Sequence, residues 1–553
     1  MKIRSRRILS VHTAIALSSA AAACRTTAPA AKPTPAPAPV RAVMPALRPT
    51  ASLPTHRVIP TPLTVVAGTG APFTLSAATS IVVPTGNFEA MRIAELLAMV
   101  VRPATAFPHP ITASDAAAPA GAIVLRLGGS STLGNEGYEL TVSADSVRIL
   151  AASPAGLYYG TQTLRQLLPA GIESELRLGG RGMTWTVPAG QITDRPRFQW
   201  RGAMLDVARH FFTVDEVKQY IDVLAMYKMN MMHLHLGDDQ GWRIQIDSWP
   251  KLTSVGGSTE VGGGQGGFYT KQDYADLVRY AQERYVTIVP EIDMPGHTNA
   301  AIAAYPQLGC SRPTPGIYGG TQPAGVYTGT QVGWSVLCPD SEGVYKFVDD
   351  VVRELAAMTP GPYIHLGGDE VHALQLPQYV KFVERVQDIV YNHGKTFVGW
   401  EEVGRGRLRQ TSVAQQWKSD SVPPAVTQGS KVVMSPSNKA YIDMKYDANT
   451  ELGLDWAALI ELRTAYDWEP TTYMKGVRED QILGVEAALW SETVHNLGSA
   501  MFLTLPRLPA LAEVGWSAPT AKNWENFRER IAAHAPRWRL LGLNYYASPQ
   551  VAW

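Results

Sequence analysis

Two adjacent carboxylates, Asp369 and Glu370, follow the run Tyr363, Ile364, His365, Leu366 and a Gly367–Gly368 break. The β-branched and aromatic run reads as a buried strand, and the glycines read as its end. Acids placed there cost desolvation energy unless paired, and side by side they perturb each other's pKa. The segment is therefore a candidate for acid/base chemistry, with a structural ion pair to a nearby arginine as the alternative. Glycoside hydrolysis normally sets two carboxyl groups on either side of the scissile bond. Neighbours on an extended backbone point to opposite sides, so this pair is expected to divide the work differently. Glu370 would protonate the leaving oxygen, and Asp369 would hold a substrate group that is itself the nucleophile.

Such a pair must be positioned by a scaffold. Strand-like runs at 199–207, 231–237, 286–293, 363–367, 396–400, 413–417, 431–435 and 483–490 alternate with amphipathic helical patterns, clearest at 214–227, 271–285, 343–358 and 379–391. Eight strand candidates alternating with helices predict an α/β fold, a (β/α)8 barrel. A doubly wound open sheet is the runner-up, but no phosphate-binding fingerprint opens the region.

Polar residues collect where these runs end. Asp206 and Arg209 follow the first, Asp238 and Asp239 the second, and Glu291, Asp293 and His297 the third. Trp400 with Glu401 and Glu402, Trp417, Tyr441 with Asp443, and Trp490 with Glu492 follow the later ones. A barrel brings all these ends to one face, where active sites sit. Trp400, Trp417, Trp456 and Trp490 read as walls of a pocket that stacks on a pyranose ring, or alternatively as core.

His233 and His235 share one face of the second run, a spacing that can chelate a metal with Asp238, Asp239 or Asp293. A metal-dependent barrel hydrolase is thus a competing class, although the later strand ends offer aromatics and carboxylates rather than further histidines. Buried structural histidines are the other reading. The glycine-rich stretch 256–267 lacks a phosphate-loop ending and reads as a loop at the barrel mouth.

The rest of the chain bounds the setting. A formal net charge of +1 gives no reason to expect nucleic acid as a partner. Lys2, Arg4, Arg6 and Arg7, an apolar stretch to Ala22 and then Ala23–Cys24 make a secretory signal over 1–24. It reads either as an ordinary cleavable signal or as a lipoprotein box in which Cys24 is lipidated, with Ala21 where a leucine is usual. An exported protein is expected, whether periplasmic, membrane-anchored or secreted. An Ala/Pro-rich linker spans 25–57. A small α+β domain, expected to be structural, spans 58–195, and the barrel spans 196–553. Cys310 and Cys338 fall in a Gly/Pro-rich stretch, where export favours a disulfide over buried free thiols.

Four long motifs carry a resemblance: Arg201 to Asp206 with Arg209–His210–Phe211, His233 to Arg243, Pro290 to His297, and His365 to Glu370. Together they resemble glycoside hydrolase family 20, the exo-acting β-N-acetylhexosaminidases, from about Val58 to the C-terminus. The resemblance implies hydrolysis of terminal β-linked N-acetylhexosamine through an oxazoline-type intermediate formed by the substrate's own acetamido oxygen. It implies Glu370 as general acid and base, Asp369 on the acetamido N–H and Tyr441 on its carbonyl. It implies Trp400, Trp417 and Trp490 as walls, with Trp456 at the mouth. It assigns Arg209 and Glu492 to ring hydroxyls, Asp443 as a further pocket acid, and Asp238 with His297 as a pair supporting Glu370. It places Cys310 and Cys338 in a loop beside the site. No metal or organic cofactor is implied. The gluco or galacto preference, the natural polymer (chitin fragments, peptidoglycan or glycan chains) and the oligomeric state stay open.

Overall fold

The structure, a computed structural model, describes residues 56–176, 183–310, 325–418, 423–474 and 476–553. Residues 1–24, expected to be a signal and including Cys24, and the expected linker up to residue 55 lie outside the described residues.

The N-terminal part builds a seven-stranded mixed sheet. Its spatial order is Thr64–Ala67, Gly190–Asp194, Tyr138–Ser143, Ser146–Ala151, Ala122–Leu127, Ile81–Val83 and Ile111–Ala113. Burial alternates along Tyr138–Ser143 and Ser146–Ala151, the period of a sheet covered on one face. Helices Phe88–Thr105 and Pro154–Leu167 pack on this sheet. The first starts where the Asn87 side chain accepts the Ala90 N–H, and the second has proline in its first turn.

Eight parallel strands then close a barrel in chain order. They are β1 (Trp200–Asp206), β2 (Met231–His235), β3 (Thr287–Glu291), β4 (Tyr363–His365), β5 (Thr396–Trp400), β6 (Val413–Gln416), β7 (Lys431–Met434) and β8 (Ile482–Leu489). Helices α1 (Val214–Met226), α2 (Lys271–Glu283), α3 (Glu342–Met358) and α4 (Leu376–Asn392) follow the first four strands, and α5 (Arg507–Trp516) follows the last. Thr213 with Glu216 and Thr270 with Asp273 form reciprocal caps at the starts of α1 and α2.

One expectation fails here. Full helices do not alternate with strands to the end. After β5 comes only a 3-10 turn, Glu401–Arg405, and after β6 the described residues hold only a single turn, Pro424–Thr427. Residues 401–412 alone join β5 to β6, and Gly404 and Gly406 interrupt them, so neither length nor propensity supports a longer helix.

Inside the barrel, Trp200, Val289, Val398, Val413, Val433 and Leu483 form an apolar layer. A polar layer lies against it. Glu486 accepts the indole N–H of Trp200 at 2.7 Å and the Gln415 amide at 2.8 Å, and it pairs with His233 Nδ1 at 2.8 Å. Gly202 leaves room for this carboxylate, since a Cβ there would lie 2.2 Å from a Glu486 oxygen.

Buried and partly buried ion pairs join the N-terminal domain to the barrel. Lys228 donates to the Tyr138 hydroxyl at 2.8 Å and to Asp194 at 3.0 Å, and the Trp516 indole also donates to Asp194, at 2.9 Å. Arg201 donates to Glu136 at 2.7 Å.

Candidate active site

The strand carrying the acid pair is short. β4 ends at His365, and the chain then turns through Gly367 (φ 64°), Gly368 (φ 97°) and Glu370 (φ 52°). These left-handed angles suit glycine, and Glu370 adopts one despite its side chain. A Cβ on Gly367 would lie 1.8 Å from Asp293 Oδ1, so the turn closes on a carboxylate only without a side chain there. That same oxygen accepts the Gly368 N–H at 2.9 Å. The Gly368 carbonyl accepts the Tyr379 hydroxyl at 2.6 Å, and Trp400 N–H donates to the Gly367 carbonyl at 2.9 Å. The acids therefore sit on a hydrogen-bonded turn, not on the extended backbone expected from sequence.

This turn opens onto a cavity of about 500 Å³ at the C-terminal mouth of the barrel. Asp369, Glu370, Arg209, His297, Trp417, Tyr441, Asp443, Trp456, Trp490 and Glu492 all line it, joined by Thr330, Val332, Leu454 and Thr493. Two residues predicted for the site stand behind this lining. Asp238 lies beneath Arg209 and His297, and Trp400 is fully buried beside Trp490, their rings 5.7 Å apart.

A chain of charges runs under the pocket. Arg209 is 2.8 Å from Asp238, Asp238 is 3.2 Å from His297 Nδ1, and His297 Nε2 is 3.7 Å from both Asp369 and Glu370. Burial alone would lower the His297 pKa, but Asp238 and Asp293 outweigh it and hold the imidazole well above its usual value. Burial would raise Asp238, yet Arg209 and His297 keep it ionised. Burial, and then the Asp369 charge, push the Glu370 carboxyl above the usual glutamate range. A glutamate so placed keeps its proton to higher pH and can act as an acid.

Several buried polar atoms around the cavity have no hydrogen-bond partner: Asp369 Oδ1, Arg209 Nε, both Asp443 oxygens, Glu492 Oε2 and His297 Nε2. Buried polar atoms are normally paired, so this set marks a place where ligand groups complete the bonding. Burial and the nearby Glu492 hold Asp443 well above the ordinary aspartate value.

The aromatics form a partial box. Trp417 and Tyr441 are nearly parallel at 9° and 6.2 Å, and Trp456 meets both edge-on at 6.0 Å. Trp456 is 56% exposed, as suits the mouth. Tyr441 reaches the site because residues 440–442 pair with Ala488 at the end of β8. Burial, and then the Asp369 charge, hold the Tyr441 hydroxyl protonated.

The remaining strand-end residues are structural. Asp206 accepts the backbone N–H groups of Ala208, Arg209 and Ser491. Asp239 anchors Asn299 and Ser335. Glu291 gathers His235, His365 and the Trp400 indole. His233 and His235 lie below the pocket, each between carboxylates: Glu486 and Glu291 for the first, Glu291 and Asp238 for the second. His365, on β4, joins His233 and Glu291 at a spacing that could hold a cation. The expectation that later strands bring no further histidine is thereby corrected. Period-two inward facing of His365 was the available signal, overshadowed by the acids that follow it.

Cys310 and Cys338 are bridged. The loop they close supplies Thr330 and Val332 to the pocket, while residues 311–324 of it lie outside the described residues. The glycine-rich stretch 256–267 does not line the pocket. It hydrogen-bonds to the neighbouring mouth segments instead, with Val261 N–H on Arg209 O and Gly262 N–H on Thr328 O.

Comparison with known proteins matches the same regions. The model described as glycosyl hydrolase family 20, catalytic domain, matches residues 198–379 and 373–519, and the model for domain 2 of that family matches 55–195. The chain is 44% identical over 505 residues to a β-N-acetylhexosaminidase of Cellulomonas fimi, covering 91% of this chain and 98% of that protein. It resembles the solved GH20 β-N-acetylhexosaminidase of Streptomyces coelicolor with a TM-score of 0.85 and 46% identity, over 91% of this chain and 99% of the other. A mutant β-hexosaminidase of Streptomyces plicatus, solved with its product GlcNAc, matches with a TM-score of 0.85 and 46% identity, over 91% and 98% of the two chains.

Proposed function

The chain belongs to glycosyl hydrolase family 20, and we propose that it is an exo-acting β-N-acetylhexosaminidase whose nucleophile is the substrate's own acetamido oxygen. One observation carries this reading. Asp369 presents a buried carboxylate oxygen without a partner, beside a Glu370 whose carboxyl burial and the Asp369 charge raise above the usual range, in a pocket walled by aromatics.

The terminal sugar enters with its ring hydroxyls toward Arg209, Asp443 and Glu492, whose unpartnered atoms they satisfy. The acetamido group lies among Trp417, Tyr441 and Trp490, its N–H on Asp369 and its carbonyl oxygen on the Tyr441 hydroxyl. That carbonyl oxygen attacks the anomeric carbon as the glycosidic bond breaks. The bonding pair leaves with the aglycone oxygen, which takes the Glu370 proton. Positive charge spreads onto the acetamido nitrogen, where the Asp369 carboxylate stabilises it. Water then attacks from the face the aglycone left and gives its proton to Glu370, while the bond from the anomeric carbon to the acetamido oxygen breaks and its pair returns to the amide, so configuration is retained. Making the attack intramolecular is worth about 7 kcal/mol or more in well-aligned cases.

The test compares an aryl β-N-acetylglucosaminide with the matching aryl β-glucoside, which lacks the internal nucleophile. The glucoside should turn over at less than about a thousandth of the rate, given the size of the intramolecular advantage. Comparable rates would overturn the mechanism. Activity should survive a chelator; its loss would favour the metal-dependent alternative.

Export belongs to the same proposal. The basic, apolar and Ala–Ala–Ala–Cys segments of residues 1–24 support a signal, and the Cys310–Cys338 bridge supports an oxidising compartment. A solved relative holds GlcNAc as product, which supports a terminal GlcNAc in the substrate. Palmitate labelling that disappears in Cys24→Ser would establish the lipid anchor, and protein free in the medium without label would establish secretion.

A further inference from the structure

The turn that replaces the fifth barrel helix grips the pocket wall from two sides. Glu401 accepts the backbone N–H of Trp417 at 3.1 Å and of Lys418 at 2.9 Å. Glu402, the next residue, accepts the Trp417 indole N–H at 3.1 Å. Glu402 is buried and does not line the cavity, so its direct contact with the pocket wall is through that ring. The same turn is locked against the acid-bearing segment. Val403 Cγ1 lies 2.8 Å from where a Cβ on Gly368 would stand and 2.6 Å from that on Gly399, so it fills the space both glycines leave. One short turn thus fixes the Trp417 plane and its distance from Asp369 together.

We propose that Glu402 is a positioning residue that sets the plane of the Trp417 indole and thereby the size of N-acyl group the pocket accepts. The inference rests on the reading that Trp417 walls the acetamido group. A buried donor left without its acceptor costs free energy until it moves, and any shift of the Trp417 ring alters the aromatic wall it shares with Tyr441 and Trp456 around the cavity. Raised by burial and then by the Asp369 charge, the Glu402 carboxyl titrates near about 7. Its oxygen accepts the indole N–H in either form.

The experiment measures kcat and KM for aryl glycosides of N-acetyl- and N-propionylglucosamine. A tight wall should favour acetyl by about 10- to 200-fold, the range one extra methylene commands. In Glu402→Leu the acetyl substrate should lose about 10- to 100-fold in kcat/KM, as one unsatisfied buried donor would predict, and the preference for acetyl should fall at least about fivefold. Glu402→Gln, which keeps a carbonyl acceptor, should recover most of both. Should the leucine variant not fold, Trp417→Phe removes the same hydrogen bond from the other side and should relax the preference equally. A general loss of activity with the acetyl preference intact, or no recovery with glutamine, overturns the proposal. Absence of N-acetylglucosaminide turnover in the unmodified enzyme would instead sink the hexosaminidase reading beneath it.

Discussion

Replacing Asp369 by asparagine keeps the shape of the side chain and removes its charge. Asp369 Oδ1 is buried, unpartnered and lines the pocket, so the carboxylate is free to meet a substrate N–H. A hydrogen bond to a charged partner is worth about 1.5–3 kcal/mol net, roughly twice its neutral counterpart. The charge that Asp369 meets develops only as the ring closes. Removing one preorganised group of this kind costs about 2.7–4 kcal/mol, or about 10²–10³ in rate. Asp369→Asn should therefore lose about 10²–10³-fold in kcat with little change in KM, because ground-state binding changes less than the transition state. The variant should also move the pH profile. The Asp369 charge is the second cause, after burial, that raises Glu370. With that charge gone the Glu370 pKa falls, the acid form is lost sooner, and the alkaline limb of kcat/KM shifts to lower pH. Steady-state kinetics on an aryl N-acetylglucosaminide across pH, with thermal unfolding to confirm the fold, provide the assay. A loss under tenfold, a loss confined to KM, or an unmoved alkaline limb would refute the role given to Asp369.

Glu370→Gln should cripple substrates with poor leaving groups far more than activated aryl glycosides, because acid assistance matters most where the leaving oxygen is basic; equal losses on a leaving-group series would contradict this. Lys228→Met strands the buried Asp194 carboxylate between the N-terminal sheet and the barrel, and denaturant unfolding should show a loss of about 3–5 kcal/mol. The Glu402 carboxyl titrates near about 7 in the folded protein against an ordinary value of 4.5, so the folded state holds a proton there that the unfolded chain gives up. The associated stability, on the order of 3 kcal/mol, is full below the unfolded value and is lost as pH rises through about 7, and Glu402→Gln should flatten that part of the stability–pH curve. Opening the Cys310–Cys338 bridge by double serine substitution frees a loop spanning 28 residues and should cost about 3–4 kcal/mol on chain-entropy grounds. It should also raise KM, since Thr330 and Val332 ride on that loop.

What was legible in the chain, and what was not, follows from how far each residue's partners lie along it. The strand ends, the acid pair and the lining aromatics announce themselves locally: a glycine break, two carboxylates and a tryptophan closing an apolar run are all visible within a few positions. Trp400 fits that local signal yet sits under Trp490, because facing inward on β5 places it against Glu291 and the buried histidines. The polar layer inside the barrel has no such signature. Glu486 is an isolated acid in an apolar run on β8, and its meaning appears only when closure of the barrel brings it to His233, Gln415 and Trp200, residues 71 or more positions away. Glu402 is the intermediate case. Its place at a strand end was readable, but its purpose depended on the fifth connection being a turn rather than a helix. A full helix after β5 would have carried residues 401–405 up the outside of the barrel, away from Trp417. The missing helix therefore counts as part of the site: shortening that connection puts a carboxylate within reach of a tryptophan one strand away and packs Val403 under the turn that bears the acids.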